Sequence, residues 1–215
     1  MDFNQFREIV ATRRSIRDFT EEPVAVSDIE EIIDCARYAP SDTNSQTWEF
    51  IAVVNKEKIK HIEDFTWEKL HEIAARAEGD GLAREAKLLV KSFGPYATAF
   101  SGAPVLIVCL ATPYTSKFRE RIFDPISFVA PEIWTEEGLK SSCLAAQNLM
   151  LAAHAKGLAT CPMTGPVLLA EDKLREFLDI PDDRVVNMVI ALGRPAISPK
   201  ATPRKEVADI LRIVE

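Results

Sequence analysis

The run 104-PVLIVCLA-111 constrains this chain more than any other stretch. Every residue after its proline is apolar, so a strand built from it has no wet face and both its faces must be covered. Layers therefore have to lie on either side of whatever sheet contains it, and the chain holds the pieces to build them. Short, β-branched or aromatic runs at 48-WEFIAVV-54, 158-LATCPM-163 and 184-RVVNMVIALG-193 read as three more strands. Between them lie helical patterns. Residues 2–12 put Phe3, Phe6, Ile9 and Val10 on one stripe. Ser27 and Glu30 form a capping box before Ile29, Ile32, Ile33 and Ala36, in a helix running to Tyr38 and stopped by Pro40. The charged stretch 56–91 is helical in period and broken in two by Gly79 and Gly81. The longest helix spans 136–156, with Leu139, Cys143, Ala146, Leu149, Met150 and Ala153 as its buried stripe and Gly157 as C-cap, and a shorter one lies near 171–178. Four strands interleaved with helices indicate an α/β or α+β sheet sandwich.

Three stretches escape this pattern. The segment FGPYATAFSGAP is irregular, and 112–134 reads as a lid or excursion whose Phe118, Phe123, Phe128 and Trp134 either roof a substrate or pack as satellite core. The tail from Arg194 carries three prolines, a basic group of Lys200, Arg204 and Lys205, and a last amphipathic piece, 206-EVADILRIVE-215, readable as a terminal helix or as an edge strand on a partner's sheet. No internal repeat or low-complexity tract is visible.

Charge and cysteine usage exclude several functions. With 26 Lys+Arg against 33 Asp+Glu, net −7, the chain lacks the broad basic face of a nucleic-acid or anionic-membrane binder. Cys35, Cys109, Cys143 and Cys161 show neither Cys-x-x-Cys spacing nor a histidine at metal-ligand spacing, which suits reduced thiols in a cytoplasmic protein and no metal. The N-terminus is acidic and amphipathic, unlike a signal peptide, and no apolar run reaches the roughly 18 residues of a membrane span. P-loop, dinucleotide, zinc-protease and nucleophile-elbow motifs are all missing. His61, His71 and His154 sit among charged or small neighbours, which points to solvent-facing or core roles rather than a general base. Cys161 at a strand end reads as a buried thiol rather than a nucleophile.

What remains polar and unusual is 13-RRSIR-17, then 40-PSDTNSQTW-48, and the basic tail. An arginine fork binds phosphate bidentately and Ser15 adds a donor, so RRS suits a small anion. On charge alone, a solvated helix end paired with Asp18, Glu21 or Glu22 remains equally open.

RRSIRDF, APSDTNSQTW some 25 residues later, GLATCPMTGP and the ALGRP…PR tail together resemble the FMN-dependent nitroreductase family across essentially the whole chain. The resemblance implies a nitroreductase-like α+β fold, with a mixed, mostly antiparallel sheet of four to five strands flanked by helices. It implies a single FMN-binding domain over 1–215, an arm at about 195–215 and an interlocked homodimer with an FMN at each end of the interface. By the same resemblance Arg13, Arg14 and Ser15 hold the phosphate and ribityl end, Arg204 and Lys205 close on the phosphate, and Arg17 faces the pyrimidine edge of the flavin. Pro40, Ser41, Asp42 and Asn44 reach the FMN from the other subunit, with Gln46 and Trp48 supporting that loop. Pro162, Met163, Thr164 and Gly165 pass along the ring, the Thr164 N–H addressing its hydride-accepting nitrogen. A fixed cation at Arg17 favours the reduced, more anionic flavin and raises its potential.

The implied activity is hydride transfer from NADH or NADPH through FMN to a nitroaromatic, quinone or similar small acceptor in a ping-pong cycle. Reductive dehalogenation, dehydrogenation or flavin fragmentation on the same fold, and a non-catalytic flavin-binding module, are the alternatives. Three positions depart from the pattern: Thr47 replaces a common Pro, Asp42 replaces a small hydroxyl residue, and Thr164 stands where many members carry a larger acid or Gly.

Overall fold

A computed structural model of the chain describes residues 2–198 and 200–215; Met1 and Pro199, one of the tail prolines, lie outside it. Its centre is a four-stranded sheet in the order β1-β2-β4-β3, from β1 (Trp48–Val53), β2 (Val105–Ala111), β3 (Ala159–Met163) and β4 (Val185–Gly193). Every neighbouring pair is antiparallel. β2 is buried along its whole length, as its composition requires. Its side chains alternate between two cores. Val105, Ile107 and Cys109 join Ile29, Ile32, Ala146 and Leu149 on one face. Leu106, Val108 and Leu110 join Ile59, Ile62, Phe65 and Leu174 on the other. The first face is covered by α2 (Val26–Ala36) and α6 (Pro131–Ala155), the second by α3 (Lys56–Gly79) and α7 (Gly165–Phe177). At the close crossing of α6 over the end of β2 stands Gly138, where a Cβ would lie 2.0 Å from the Thr112 carbonyl oxygen.

Several boundaries differ from the sequence expectation, each for a local reason. α6 begins at Pro131 and α7 at Gly165, both earlier than expected, because a proline sits in each first turn, where its missing N–H costs nothing. α7 is kinked at Ala170. The capping box at Ser27 does not form. α2 starts at Val26, Ala25 is its cap residue, and the Asp28 N–H closes the first turn on the Ala25 carbonyl at 3.0 Å. Of the stripe expected to be buried on α6, Ala146, Leu149, Met150 and Ala153 are buried, whereas Cys143 is exposed beside Asn187 of β4 and, with Leu139 and Leu144, lines an open hollow. Gly157 ends the helix region with φ 74°, in the left-handed region expected of a C-cap glycine.

α1 (Phe3–Thr12) starts with a capping box between Asp2 and Gln5 and buries none of its residues, so its stripe faces away from the chain's own core. After α3, Gly81 (φ 85°) turns the chain into α4 (Ala83–Leu88), a π-helical turn at Leu89–Phe93, and α5 (Gly94–Ala97). The excursion at 112–134 contains a second π-helical turn, Arg119–Phe123. Its aromatics divide between the two readings: Trp134 is buried against Phe123 and Tyr114, while Phe118 and Phe128 are exposed. The tail holds one short helix, α8 (Val207–Ile210), with every residue exposed. No described helix is long and apolar enough to cross a membrane.

Candidate active site

The chain leaves α1 at Arg13 and runs alongside the outer edge of β3. Ser15 bridges Thr160, the Ile16 N–H donates to the Thr160 carbonyl at 3.0 Å, and the Thr20 N–H donates to the Arg194 carbonyl at 3.0 Å. The Ala196 N–H donates to the Asp18 carbonyl at 2.9 Å, so the segment is held between β3 and the residues after β4. A cavity of about 460 Å³ opens at its start, lined by Arg13, Arg14, His154 and Thr160 and, from the tail, by Ile197 and Ser198.

Three buried polar atoms on residues lining this cavity have no partner: Arg13 Nη1, Arg14 Nε and Thr160 Oγ1. Arg14 is otherwise tied down, its Nη1 donating to the carbonyls of Ala11 (2.6 Å) and Arg13 (2.7 Å). Burial, then the charges of Arg14 and Arg204, hold the Arg13 guanidinium below its ordinary value. The solvated-helix-end reading finds no support, since Glu22 pairs with Arg194 at 2.8 Å. Among the described residues no carboxylate pairs with Arg13, Arg14 or Arg17. Converging cations with orphaned donors and a hydroxyl are a suitable donor set for a phosphate. Arg204 stands on the exposed tail, its Nη1 donating to Thr202 Oγ1 at 2.7 Å, with Lys205 exposed beside it.

Arg17 lies further along the same segment, its guanidinium 5.4 Å from the centre of the Tyr96 ring. A second cavity, about 620 Å³, is lined by Arg17, Asp18, Glu63, Trp67 and Tyr96. Cys161 is buried between the two arginines' fields: desolvation raises its thiol, and the charges of Arg17 and Arg13 oppose that rise. This is the buried thiol the sequence suggests. Beyond it come half-buried Pro162, buried Met163 and exposed Thr164, then Gly165 at the start of α7. A Cβ on Gly165 would lie 2.7 Å from Ala97 Cα, so this glycine lets β3 and α7 close against α5, next to Tyr96.

The loop 40–47 sits elsewhere. A 3₁₀ turn at Asp42–Asn44 carries Thr43 at φ 51° and Asn44 at φ 58°, followed by Gln46 at φ 49°. Left-handed conformations at three non-glycine residues store strain, of order 1–3 kcal/mol each, of the kind that clusters at functional sites. Ser41 Oγ accepts from the Gln46 N–H at 2.9 Å, the Thr112 N–H donates to the Thr47 carbonyl at 2.8 Å, and Thr47 Oγ1 donates to the Gly138 carbonyl at 3.3 Å. Thr47 thus anchors the loop with a hydroxyl bond that proline could not make. Desolvation and then Glu137 raise the Asp42 carboxyl above its ordinary value, while Glu137 is itself lowered by Lys140.

Register fixes how far apart these parts are. Trp48 pairs with Ala111 at one end of the sheet on edge strand β1; Thr160 pairs with Leu192 at the other end on edge strand β3. The loop and the arginine run therefore occupy diagonally opposite corners. Within one chain the structure sets Arg13, Arg14 and Ser15 beside 157–160, carries Arg17 along to Tyr96, next to the Ala97 that Gly165 packs against, and leaves Pro40, Ser41, Asp42, Asn44 and Gln46 remote from them. Sequence reasoning missed Thr160 and Tyr96, and gave His154 only a bland role. Thr160 carried a usable signal, a hydroxyl in an otherwise apolar strand.

A profile described as the Nitroreductase family matches residues 10–194, a range that holds the arginine run, the loop and 162–165 but not Arg204 or Lys205. The chain is 29% identical over 199 residues to the chloronitrobenzene nitroreductase of Comamonas testosteroni, covering 86% of this chain and 85% of that protein. It is 29% identical over 195 residues to the putative NADH dehydrogenase/NAD(P)H nitroreductase of Methanothermobacter thermautotrophicus, covering 89% of this chain and 78% of that one. The fold matches a BluB-like flavoprotein from Clostridium difficile 630 with TM-score 0.85 and 23% identity, over the whole of both chains.

Proposed function

The chain belongs to the nitroreductase family, and from that premise we propose that it passes hydride from NADH or NADPH through bound FMN to a small nitroaromatic, quinone or similar acceptor. The working unit in this reading is a homodimer with two FMN sites, each shared between subunits. The observation that carries it is the cavity beside β3, where Arg13 Nη1, Arg14 Nε and Thr160 Oγ1 are buried without partners in a chain of net charge −7. Those donors suit the FMN phosphate, with Ser15 beside them and Arg204 and Lys205 brought in by the tail.

When bound, FMN supplies the two-electron chemistry. The chain supplies position and field. Arg17 has no described carboxylate partner and is held over Tyr96, so its charge is free to act on the pyrimidine edge. Pro162, Met163, Thr164 and Gly165 form the wall along the ring, and Thr164 offers its backbone N–H there. Pro40, Ser41, Asp42 and Asn44, supported by Gln46, come from the partner subunit; their place at the opposite corner of the sheet supports delivery in trans. The exposed stripe of α1, the hollow around Leu139 and Leu144, and the apolar tail end are surfaces such a dimer would cover. The part of the excursion ahead of α6, with Phe118 and Phe128 exposed, acts as a lid, and the four free thiols suit the reducing cytoplasm, where NAD(P)H is available.

Anaerobic mixing of the FMN-loaded protein with NADH or NADPH tests this. The yellow absorbance should bleach rapidly with at least one nucleotide and return when a nitroaromatic or quinone is added. Protein that stays colourless after FMN is supplied refutes the reading, and yellow protein that neither nucleotide bleaches refutes the assigned donor.

A further inference from the structure

The imidazole of His154, near the end of α6, closes one wall of the cavity that holds Arg13 and Arg14. Its hydrogen bonding is over-determined. Thr12 Oγ1 is 2.6 Å from the Glu8 carbonyl, which can only accept, so the single hydroxyl hydrogen of Thr12 goes there. The 2.8 Å contact between Thr12 Oγ1 and His154 Nε2 must then have the imidazole as donor. A neutral His154 carries its hydrogen on Nε2 and keeps a lone pair on Nδ1, where a second proton can be added without breaking the bond to Thr12.

We propose that His154 is a proton-linked member of the phosphate site, holding Thr12 through Nε2–H in both charge states and taking a proton from solvent on Nδ1 when the FMN phosphate docks beside Arg13 and Arg14. This rests on the reading that the phosphate occupies this cavity. Burial, then the charges of Arg13 and Arg14, hold the ring below its ordinary value while no anion is present. The other described residues lining this cavity carry no ionisable group, among them Gly157 and Leu158 just before β3, Thr160 within it, and Pro195, Ile197 and Ser198 from the tail; on α1, which packs against the ring through Thr12, the Glu8 side chain is exposed to solvent. The nearby carboxylates of α2, Asp28 and Glu31, are both paired with Lys156. A dianion between the two arginines offsets the positive field that helps hold the ring down, so the ring's titration rises and proton uptake follows. The sign is then fixed: the added affinity is present below the ring's titration in the FMN complex and is lost as pH rises through it.

The test follows release of flavin from the loaded, full-length protein on dilution, by flavin fluorescence, between about pH 6 and 8.5 where histidine titrates. Wild type is compared with His154→Gln, which keeps a donor toward Thr12 but cannot titrate. The Kd for FMN should weaken about tenfold more across that range in wild type than in the variant, the equivalent of one unit of titration shift. With riboflavin, which lacks the phosphate, the two proteins should show the same profile. In NMR spectra His154, one of three histidines, should titrate at higher pH in the FMN complex than in the riboflavin complex. Identical FMN profiles for wild type and variant, or a His154 midpoint indifferent to the phosphate, overturn the inference. Arg13→Gln separates the two claims. If it removes the preference for FMN over riboflavin while His154→Gln changes nothing, only the histidine role fails; if it leaves FMN binding intact, the phosphate is not held here and both fail.

Discussion

Arg13→Gln is predicted to make the FMN-free chain more stable and to make FMN binding much weaker. Without an anion, Arg13 has a half-buried guanidinium with an orphaned Nη1, next to Arg14 and within the field of Arg204. A buried donor without a partner costs about 1–3 kcal/mol. Removing the group relieves that cost, while the lost packing of the arginine stem offsets part of it. A net gain of about 1 kcal/mol corresponds to about 2–4 °C in Tm for a chain of this size. With FMN the sign reverses. A hydrogen bond to a charged group contributes about 1.5–3 kcal/mol, and losing a two-pronged contact worth about 3 kcal/mol weakens Kd by about 150-fold. FMN at 100 times the wild-type Kd adds about 2.7 kcal/mol to wild-type stability but only about 0.3 kcal/mol to the variant. Thermal melts with and without FMN should therefore cross, the variant melting higher alone and wild type higher with FMN. A variant that melts lower alone and keeps its FMN-induced rise would refute the reasoning.

Arg17→Gln should lower the two-electron midpoint potential of bound FMN, by about 30 mV for each 1.4 kcal/mol of lost stabilisation, read by dye equilibration; an unchanged midpoint contradicts the role given to Arg17. Gly138→Ala should destabilise the chain by about 1–3 kcal/mol or more, because its Cβ would meet the Thr112 carbonyl oxygen at 2.0 Å; chemical denaturation at wild-type stability would show that the crossing is looser than described. Asp42→Asn should be more stable than wild type at neutral pH. The raised Asp42 titration means its protonated form is favoured in the fold, so wild-type stability falls as pH rises through the carboxylate range, and the variant's advantage should vanish in acid. A gap between the two that does not depend on pH counts against the Asp42–Glu137 contact.

Much of the fold was legible because burial leaves a plain mark on composition. β2 could have been nothing but a covered strand, and its alternating side chains feed both cores. The main errors were at two helix starts: Pro131, inside the expected excursion, and Pro166, ahead of the helix expected near 171, each lie in the first turn of a helix. The face of α6 carrying Leu139 and Cys143 also misled, because an apolar face that a partner subunit would cover has the same pattern as one buried in its own core. In the site, the arginine run and the polar loop stood out as residues in search of a role. Their separation to opposite corners did not, because it depends on the strand order β1-β2-β4-β3, which local periodicity does not encode. His154 was invisible as a site residue for a similar reason: its partner Thr12 is distant in sequence and meets it only through the packing of α1 on α6.

The central claim, that each site is built from the arginine run of one chain and the loop of another, is tested most directly by complementation. One chain carries Arg13→Gln; the other carries Ser41→Ala with Asn44→Ile, which removes the loop's hydroxyl anchor and places a β-branched residue at φ 58°. Each variant alone should bind FMN poorly. Co-expressed with different tags and purified as the mixed dimer, the two chains should hold one FMN per dimer with wild-type affinity, because one site then combines the intact run of one chain with the intact loop of the other. A mixed dimer that binds FMN no better than either variant alone would contradict the shared site.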